Sequence, residues 1–340
     1  MLNSIVLRDY WRGLISLFLG ASVLIAPGAL AKNYSDDPEV QALIDTMVAE
    51  HQFDREQLQT LFAAAEYKQS IIDAMTRPAE KVKVWKDYRK IFVTEKRIRQ
   101  GVDFWRENKT TLERAQVDYG VAPAIVVAIL GVETYYGRLT GSYRVIDALS
   151  TLAFDYPPRS KFFTSELKEF LLLSREQGKQ ADELKGSYAG AMGYGQFISS
   201  SYRRYAVDYD NDGFADIWDN PEDAIGSVAN YFASHQWQAG QPVVVKAQTA
   251  ETYRRDDLNK VKRPELTLAE LKAQGFTPVS GTWNEEVKAF PMELEGKAGA
   301  EFWLAFDNFY VITRYNHSHR YAMAVFQLSQ EILARRAEKH

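Results

Sequence analysis

Pro123-Ala124-Ile125-Val126-Val127-Ala128-Ile129-Leu130-Gly131-Val132-Glu133-Thr134-Tyr135-Tyr136-Gly137 decides how the chain is read. One charge, Glu133, stands at the end of a run that is otherwise almost wholly apolar. A helix apolar on every side is buried on every side. Pro123 suits a first helical position, and Gly137 suits a stop just past the end. Glu133 is therefore expected near the C-terminal end of a buried helix. Desolvation and the negative end of the helix dipole would both raise its pKa. A carboxyl kept protonated near neutral pH can act as a general acid. The plain alternative is a glutamate at a helix end that simply reaches water. Downstream sequence decides between the two.

The chain has 340 residues, 46% hydrophobic, 25% charged and 13% aromatic, an ordinary globular balance with ample length for a core. A net charge of −4 gives no electrostatic footprint for nucleic acid. Without cysteine, disulfides, thiolate catalysis, Cys-based zinc sites and an anchor lipidated on an N-terminal Cys are excluded. The five histidines form no His-Glu-x-x-His pattern, and His317 with His319 reads as a structural or solvated pair.

Residues 1–31 read as a secretory signal peptide. Arg8 and Arg12 precede an apolar run from Gly13 to Ala26, and Ala29-Leu30-Ala31 supplies the small-x-small cleavage pattern. That run is short for a transmembrane helix. The mature protein is thus expected outside the cytoplasm, in the periplasm, without a stable membrane anchor.

Residues 32–120 read as a helical domain. Val40, Leu43, Ile44, Met47 and Val48 repeat at helical spacing after Asp37-Pro38. Asp54 with Gln57 resembles a capping box, Thr94 caps a third helix, and a fourth ends at Gly120. Trp85 to Arg89 shows no clear periodicity. Residues 121–240 read as a catalytic core. Ala153 to Arg159 looks like a loop, and Phe162 to Arg175 like a helix. Lys185 to Phe197 holds glycines at 186, 190, 193 and 195, as where backbone must approach something closely. Tyr135 and Tyr136 offer flat faces suited to sugar rings, and Ser187, Met192 and Gln196 would suit a substrate wall.

Asp208, Asp210, Asp212, Gly213 and the Phe214 carbonyl match the start of a calcium loop spanning 208–223. Asp219 replaces the usual closing Glu, leaving Asp219, Glu222 or Asp223 to close it. From Gln241 the texture changes. Val243-Val244-Val245 and Val287 to Leu294 look like strands, and Thr267 with Glu270 makes a capping box. Residues 241–298 read as a small β-containing insertion, and 299–340 as a return to the core, closed by a helix from Tyr321 to Arg336. The fold class expected is mainly α (α+β).

Gly-Val-Glu-Thr-Tyr-Tyr-Gly (131–137), Gly-Ala-Met-Gly-Tyr-Gly-Gln-Phe (190–197), Ala-Ile-Gly-Ser-Val-Ala-Asn-Tyr-Phe (224–232) and Arg-Tyr-Asn-His-Ser (314–318) closely resemble the lytic murein transglycosylase B family, glycoside hydrolase family 103. The resemblance covers nearly all of the mature chain. It implies a lysozyme-like core, a structural Ca2+ and no cofactor for the chemistry. Peptidoglycan glycan strands would be the substrate, and other cell-wall enzymes are a further class of partner it allows. The implied reaction cleaves the β-1,4 bond between N-acetylmuramic acid and N-acetylglucosamine without water, leaving a 1,6-anhydro end, with Glu133 as acid and then base. The metal would sit at Asp208, Asp210, Asp212, Phe214 and Asp223. Substrate positions carry over to Tyr88, Arg159, Ser187, Met192, Gln196, Tyr231, Tyr315, Asn316 and Tyr321. The family often shows two adjacent arginines where this chain has Pro158-Arg159. Two other readings compete: a hydrolytic muramidase, which needs a second carboxylate such as Asp147 or Asp155, and a non-catalytic wall-binding protein.

Overall fold

The computed structural model describes residues 32–76 and 83–338; the expected signal peptide lies outside them. Caps visible in the sequence start the early helices. The Asp37 carboxylate accepts from the Glu39 N–H at the head of α1 (Pro38–His51), and Asp54 accepts from Gln57 at the head of α2 (Arg55–Ala63). α3 (Gln69–Thr76) follows, and α4 (Trp85–Phe92) takes the stretch that shows no periodicity. Thr94 caps α5 (Glu95–Glu107), and left-handed Gly120 ends α6 (Lys109–Tyr119).

α7 (Pro123–Thr134) is the expected core helix, and Glu133 is its one residue that is not buried. Its end differs from the expectation. The left-handed cap is Tyr135 (φ 52°), followed by Tyr136 (φ 62°) and Gly137 (φ 81°), so three residues in a row turn the chain back. Left-handed backbone is unfavourable for a side chain as large as tyrosine.

Beyond it come α8 (Val145–Phe154), α9 (Ser160–Glu176), α10 (Ser199–Tyr205) and α11 (Pro221–Ser234). The expected loop over Ala153–Arg159 is the end of α8 plus a 3-10 turn at Pro157–Arg159. Two short strands, β1 (Tyr143–Arg144) and β2 (Lys185–Gly186), pair antiparallel and join the segment after α7 to the glycine-rich loop.

The small sheet has strand order β4-β6-β7-β3-β5, with β3 (Val244–Thr249), β4 (Leu266–Thr267), β5 (Phe276–Pro278), β6 (Lys288–Gly296) and β7 (Gly299–Ala305). Each pairing is antiparallel. β7 lies beyond the expected boundary at 298, so the sheet continues to Ala305. α12 (Leu268–Ala273) carries the expected capping box, both halves of which form. α13 (Asp307–Tyr315) and α14 (His319–Ala337) return to the helical body.

Two large hydrophobic cores sit side by side, and they do not follow the segments read from sequence. One is built from α4 to α7, α11, α13 and α14. The other joins α1 to α3 with α8 to α10 and the glycine-rich loop. The helices before residue 120 are therefore divided between both. Tyr315 packs against each core, so the end of α13 marks where they meet. A third, smaller core lies beneath the sheet. Among the described residues no single helix is long and apolar enough to cross a membrane.

Candidate active site

Glu133 is held where α7 stops. The Tyr135 N–H bonds the Gly131 carbonyl at 3.2 Å, and the Tyr136 N–H bonds that of Leu130 at 3.0 Å, satisfying carbonyls that a helix end leaves free. Thr134, fully buried, donates to the Tyr194 carbonyl at 2.8 Å and accepts the Gly137 N–H at 2.9 Å. One side chain thus ties the end of α7 to the glycine-rich loop.

Tyrosines surround the carboxylate. The Tyr321 hydroxyl, from the first turn of α14, donates to Glu133 Oε1 at 2.5 Å. Burial pushes this phenol well above its usual range, and the Glu133 charge adds to that. Tyr315 is raised in the same way, by burial first and then by Glu133. Its hydroxyl donates to the Gly195 carbonyl at 2.5 Å. A Cβ on Gly195 would lie 2.8 Å from that hydroxyl, so the glycine permits the approach. The Tyr231 ring stands edge-on to Tyr315 at 4.7 Å and donates its hydroxyl to the Arg314 carbonyl at 2.6 Å. Gln196, in left-handed backbone (φ 52°), bonds the Thr140 and Gly193 carbonyls at 3.0 Å each. Tyr88 acts electrostatically on Tyr321 and lies 5.8 Å from the Arg320 guanidinium.

The structure thus brings Glu133, Tyr321, Tyr315, Tyr231, Tyr88 and the Gly195-Gln196 turn together. Ser187 is half-buried, its hydroxyl accepting the Ala191 N–H at 3.1 Å, and Asn316 is exposed at the end of α13. Two expectations are corrected. Met192 is 0% exposed, a core residue whose backbone bridges Gly186 and Phe197, so its side chain is no part of an open wall. Tyr136 is buried too. It stacks on Phe104 at 5.5 Å and donates to the Arg97 carbonyl at 2.8 Å, so it offers no face to a sugar. Arg159 is exposed and lies over the Phe162 ring at 4.2 Å.

The alternative carboxylates are taken up by the fold. Asp147, 2% exposed, accepts both arms of Arg144 at 2.8 and 2.9 Å and the Glu66 N–H at 2.9 Å. Asp155 accepts the Tyr34 hydroxyl at 2.7 Å.

The acidic loop is a separate feature. One ligand oxygen from each of Asp208, Asp210 and Asp212 falls within 4.8 Å of the others. The Asp212 and Gly213 N–H groups bond Asp208, and the Phe214 N–H bonds Asp212, which folds the loop around them. Hard oxygen donors so placed fit a calcium ion. Asp223 is not one of this group. Fully buried on α11, it accepts the Tyr209, Asp210 and Asp216 N–H groups, and burial raises its pKa to about 6. It braces the loop from behind rather than closing it.

A carboxylate at the end of a core helix, beside buried tyrosines in a mainly helical chain, suits a glycan-cleaving enzyme. Comparison with known proteins narrows the class. Residues 35–330 match the family model described as Transglycosylase SLT domain. The chain is 42% identical to the membrane-bound lytic murein transglycosylase B of Escherichia coli K12, over 90% of this chain and 86% of that protein. The structure of SltB1 from Pseudomonas aeruginosa is 50% identical with a TM-score of 0.85, covering 89% of this chain and 99% of that one. Escherichia coli Slt35 in complex with calcium is 43% identical with a TM-score of 0.82, covering 90% and 96%. The chain belongs to this lytic transglycosylase family and is a peptidoglycan lytic transglycosylase.

Sequence reasoning missed Arg97. It is 3% exposed and directs its guanidinium at the Gly131 carbonyl. Only its place in an otherwise apolar register beside Ile98 hinted at burial.

Proposed function

We propose that Glu133 serves in turn as general acid and general base of a cleavage that uses no water. Its proton goes to the glycosidic oxygen between N-acetylmuramic acid and N-acetylglucosamine. The C1–O bond breaks, and its electron pair leaves with that oxygen. The 6-hydroxyl of the muramic acid then bonds C1 and gives its proton to Glu133, closing a 1,6-anhydro ring and restoring the acid. Attack within one sugar gains from proximity. Ordinary glycosidases need a second carboxylate. The observation that carries this reading is that Glu133 pairs with Tyr321 and sits beside Tyr315, while Asp147 and Asp155 are occupied elsewhere. Tyr88, Ser187, Gln196, Tyr231, Tyr315, Asn316 and Tyr321 shape the sugar cleft, and Arg159 reaches toward a peptide stem. Digestion of purified peptidoglycan followed by mass spectrometry tests the reaction. The expected products are lighter by one water than hydrolytic ones; reducing ends would make the enzyme a hydrolase.

Acting on peptidoglycan places the chain outside the cytoplasm. The finer reading is a periplasmic protein, cleaved after Ala31 and soluble thereafter, whose N-terminal sequence begins at Lys32. Asp208, Asp210, Asp212 and the Phe214 carbonyl would hold a calcium ion that braces the segment before α11 and takes no part in the chemistry.

A further inference from the structure

Arg97 is a buried cation without a carboxylate partner among the described residues. Its Nε donates to the Gly131 carbonyl at 2.8 Å, and one terminal nitrogen donates to the carbonyls of Ile91 at 2.6 Å and Phe92 at 2.8 Å. All three acceptors lie in the last turns of two helices, α4 and α7. The guanidinium lies 3.7 Å from the centroid of the Tyr135 ring, and the Arg97 carbonyl accepts the Tyr136 hydroxyl at 2.8 Å. One side chain therefore grips the residue two before Glu133 and covers the residue two after it. It also joins the helix that carries Glu133 to the helix that carries Tyr88. Burying an arginine is costly unless its donors are met, and here they meet three carbonyls in the last turns of two helices.

We propose that Arg97 is a positioning residue for Glu133: it clamps the left-handed turn that aims the carboxylate and places a fixed positive charge behind it. The inference rests on the reading of Glu133 as the acid. The charge acts against the negative end of the α7 dipole, which it caps. Among the described residues, two neutral phenols interact with Glu133, Tyr321 of α14 and Tyr315 of α13, and Tyr88 of α4 acts on Tyr321. Arg138 bonds the Tyr135 carbonyl at 3.1 Å, and Arg320 of α14 lies 5.8 Å from the Tyr88 ring. A neighbouring cation favours the ionised carboxylate, so its loss should move the alkaline limb of activity upward.

The test compares Arg97→Met, Arg97→Lys and Tyr135→Leu, with kcat and KM on purified peptidoglycan fragments measured from acid to alkaline pH per folded molecule. Arg97→Met is expected to lower kcat by roughly ten- to a hundredfold through misplacement of the acid. It should also shift the alkaline limb up, because losing a neighbouring cation disfavours the ionised carboxylate. Arg97→Lys keeps the charge and loses the fork, so kcat falls while the limb stays. Tyr135→Leu keeps the guanidinium and its limb but loosens the turn. Should Arg97→Met not fold, Arg97→Lys carries the test through kcat, which must fall with KM unchanged. Unchanged kcat per folded molecule, or a wild-type limb in a folded Arg97→Met, overturns the proposal. Glu133→Gln run alongside separates the two readings: activity there removes the acid itself, whereas an inactive Glu133→Gln with unaffected Arg97 variants removes only the role of Arg97.

Discussion

Glu133 was legible because a single charge interrupts an apolar run, and the structure leaves that residue alone unburied on its helix. Glu133→Gln keeps size and packing but cannot donate the proton. General acid–base catalysis contributes about 10²–10⁴-fold, so release of muropeptides should fall at least about a hundredfold on that basis. Co-sedimentation with insoluble peptidoglycan should persist, and near-normal turnover would sink the assignment. What the sequence hid is how its neighbours serve that position. A Cβ on Gly131 would lie 2.5 Å from the Tyr136 hydroxyl and 2.6 Å from its ring, and one on Gly101 would lie 2.5 Å from the same hydroxyl. Tyr136 is a wedge between α5 and α7, a role that no local pattern announces. Gly131→Ala should therefore lower the unfolding free energy in urea by about 1–3 kcal/mol through overpacking, less the gain of up to about 1 kcal/mol in helix propensity. A rise in stability would show that the wedge yields freely.

Elements were legible where their ends are written in side chains. α1, α2, α5 and α12 begin at Asp37, Asp54, Thr94 and Thr267, each of which accepts a backbone N–H of its own first turn. α8, α10 and α13 begin at Arg144, Ile198 and Phe306, with no side-chain cap bond, and none of the three was read as a helix. Their stability comes from packing contacts far away in sequence, which periodicity over ten residues does not record. β7 escaped for a related reason: its first residues are exposed, and it is fixed by its pairing with β3 and β6. The capped elements should then be sensitive at the cap. Thr267→Ala removes the Glu270 N–H acceptor and one partner of the Glu270 carboxylate. It should cost about 1 kcal/mol, visible as a lower unfolding midpoint in urea. An unchanged midpoint would mean that packing of Leu268 and Leu271 alone holds the helix.

On the scale of the whole molecule, the helix that carries Glu133 belongs to one core and the glycine-rich loop to the other, and Thr134 ties the two. Sequence segments are contiguous and cores need not be, which is why a boundary at 120 had no counterpart in packing. Burial holds His235 and His319 below the usual imidazole range of 6.5, while it raises Glu166 above its usual 4.5. The signs oppose. The histidines give stability that is complete above 6.5 and is lost as pH falls from there toward their folded values; Glu166 gives stability that is lost as pH rises from 4.5. Replacing both histidines with glutamine should flatten the fall in melting temperature below about pH 6.5, and an unaltered acid branch would exclude them as its cause. The cation loop acts on the same stability from outside the cleft. Its three carboxylates repel one another within 4.8 Å, so an ion bound there should stabilise only the folded chain. Calcium at about a hundredfold excess over its Kd adds roughly 2.7 kcal/mol, worth about 5–10 °C at roughly 2–4 °C per kcal/mol in a chain of this size. Chelation should reverse the shift without altering turnover by folded enzyme, because Glu133 lies on α7 with different partners from those of the loop. Asp208→Asn with Asp212→Asn should abolish it. An equal calcium-dependent rise in that double variant would place the ion elsewhere and leave the loop an acidic turn held by its own backbone.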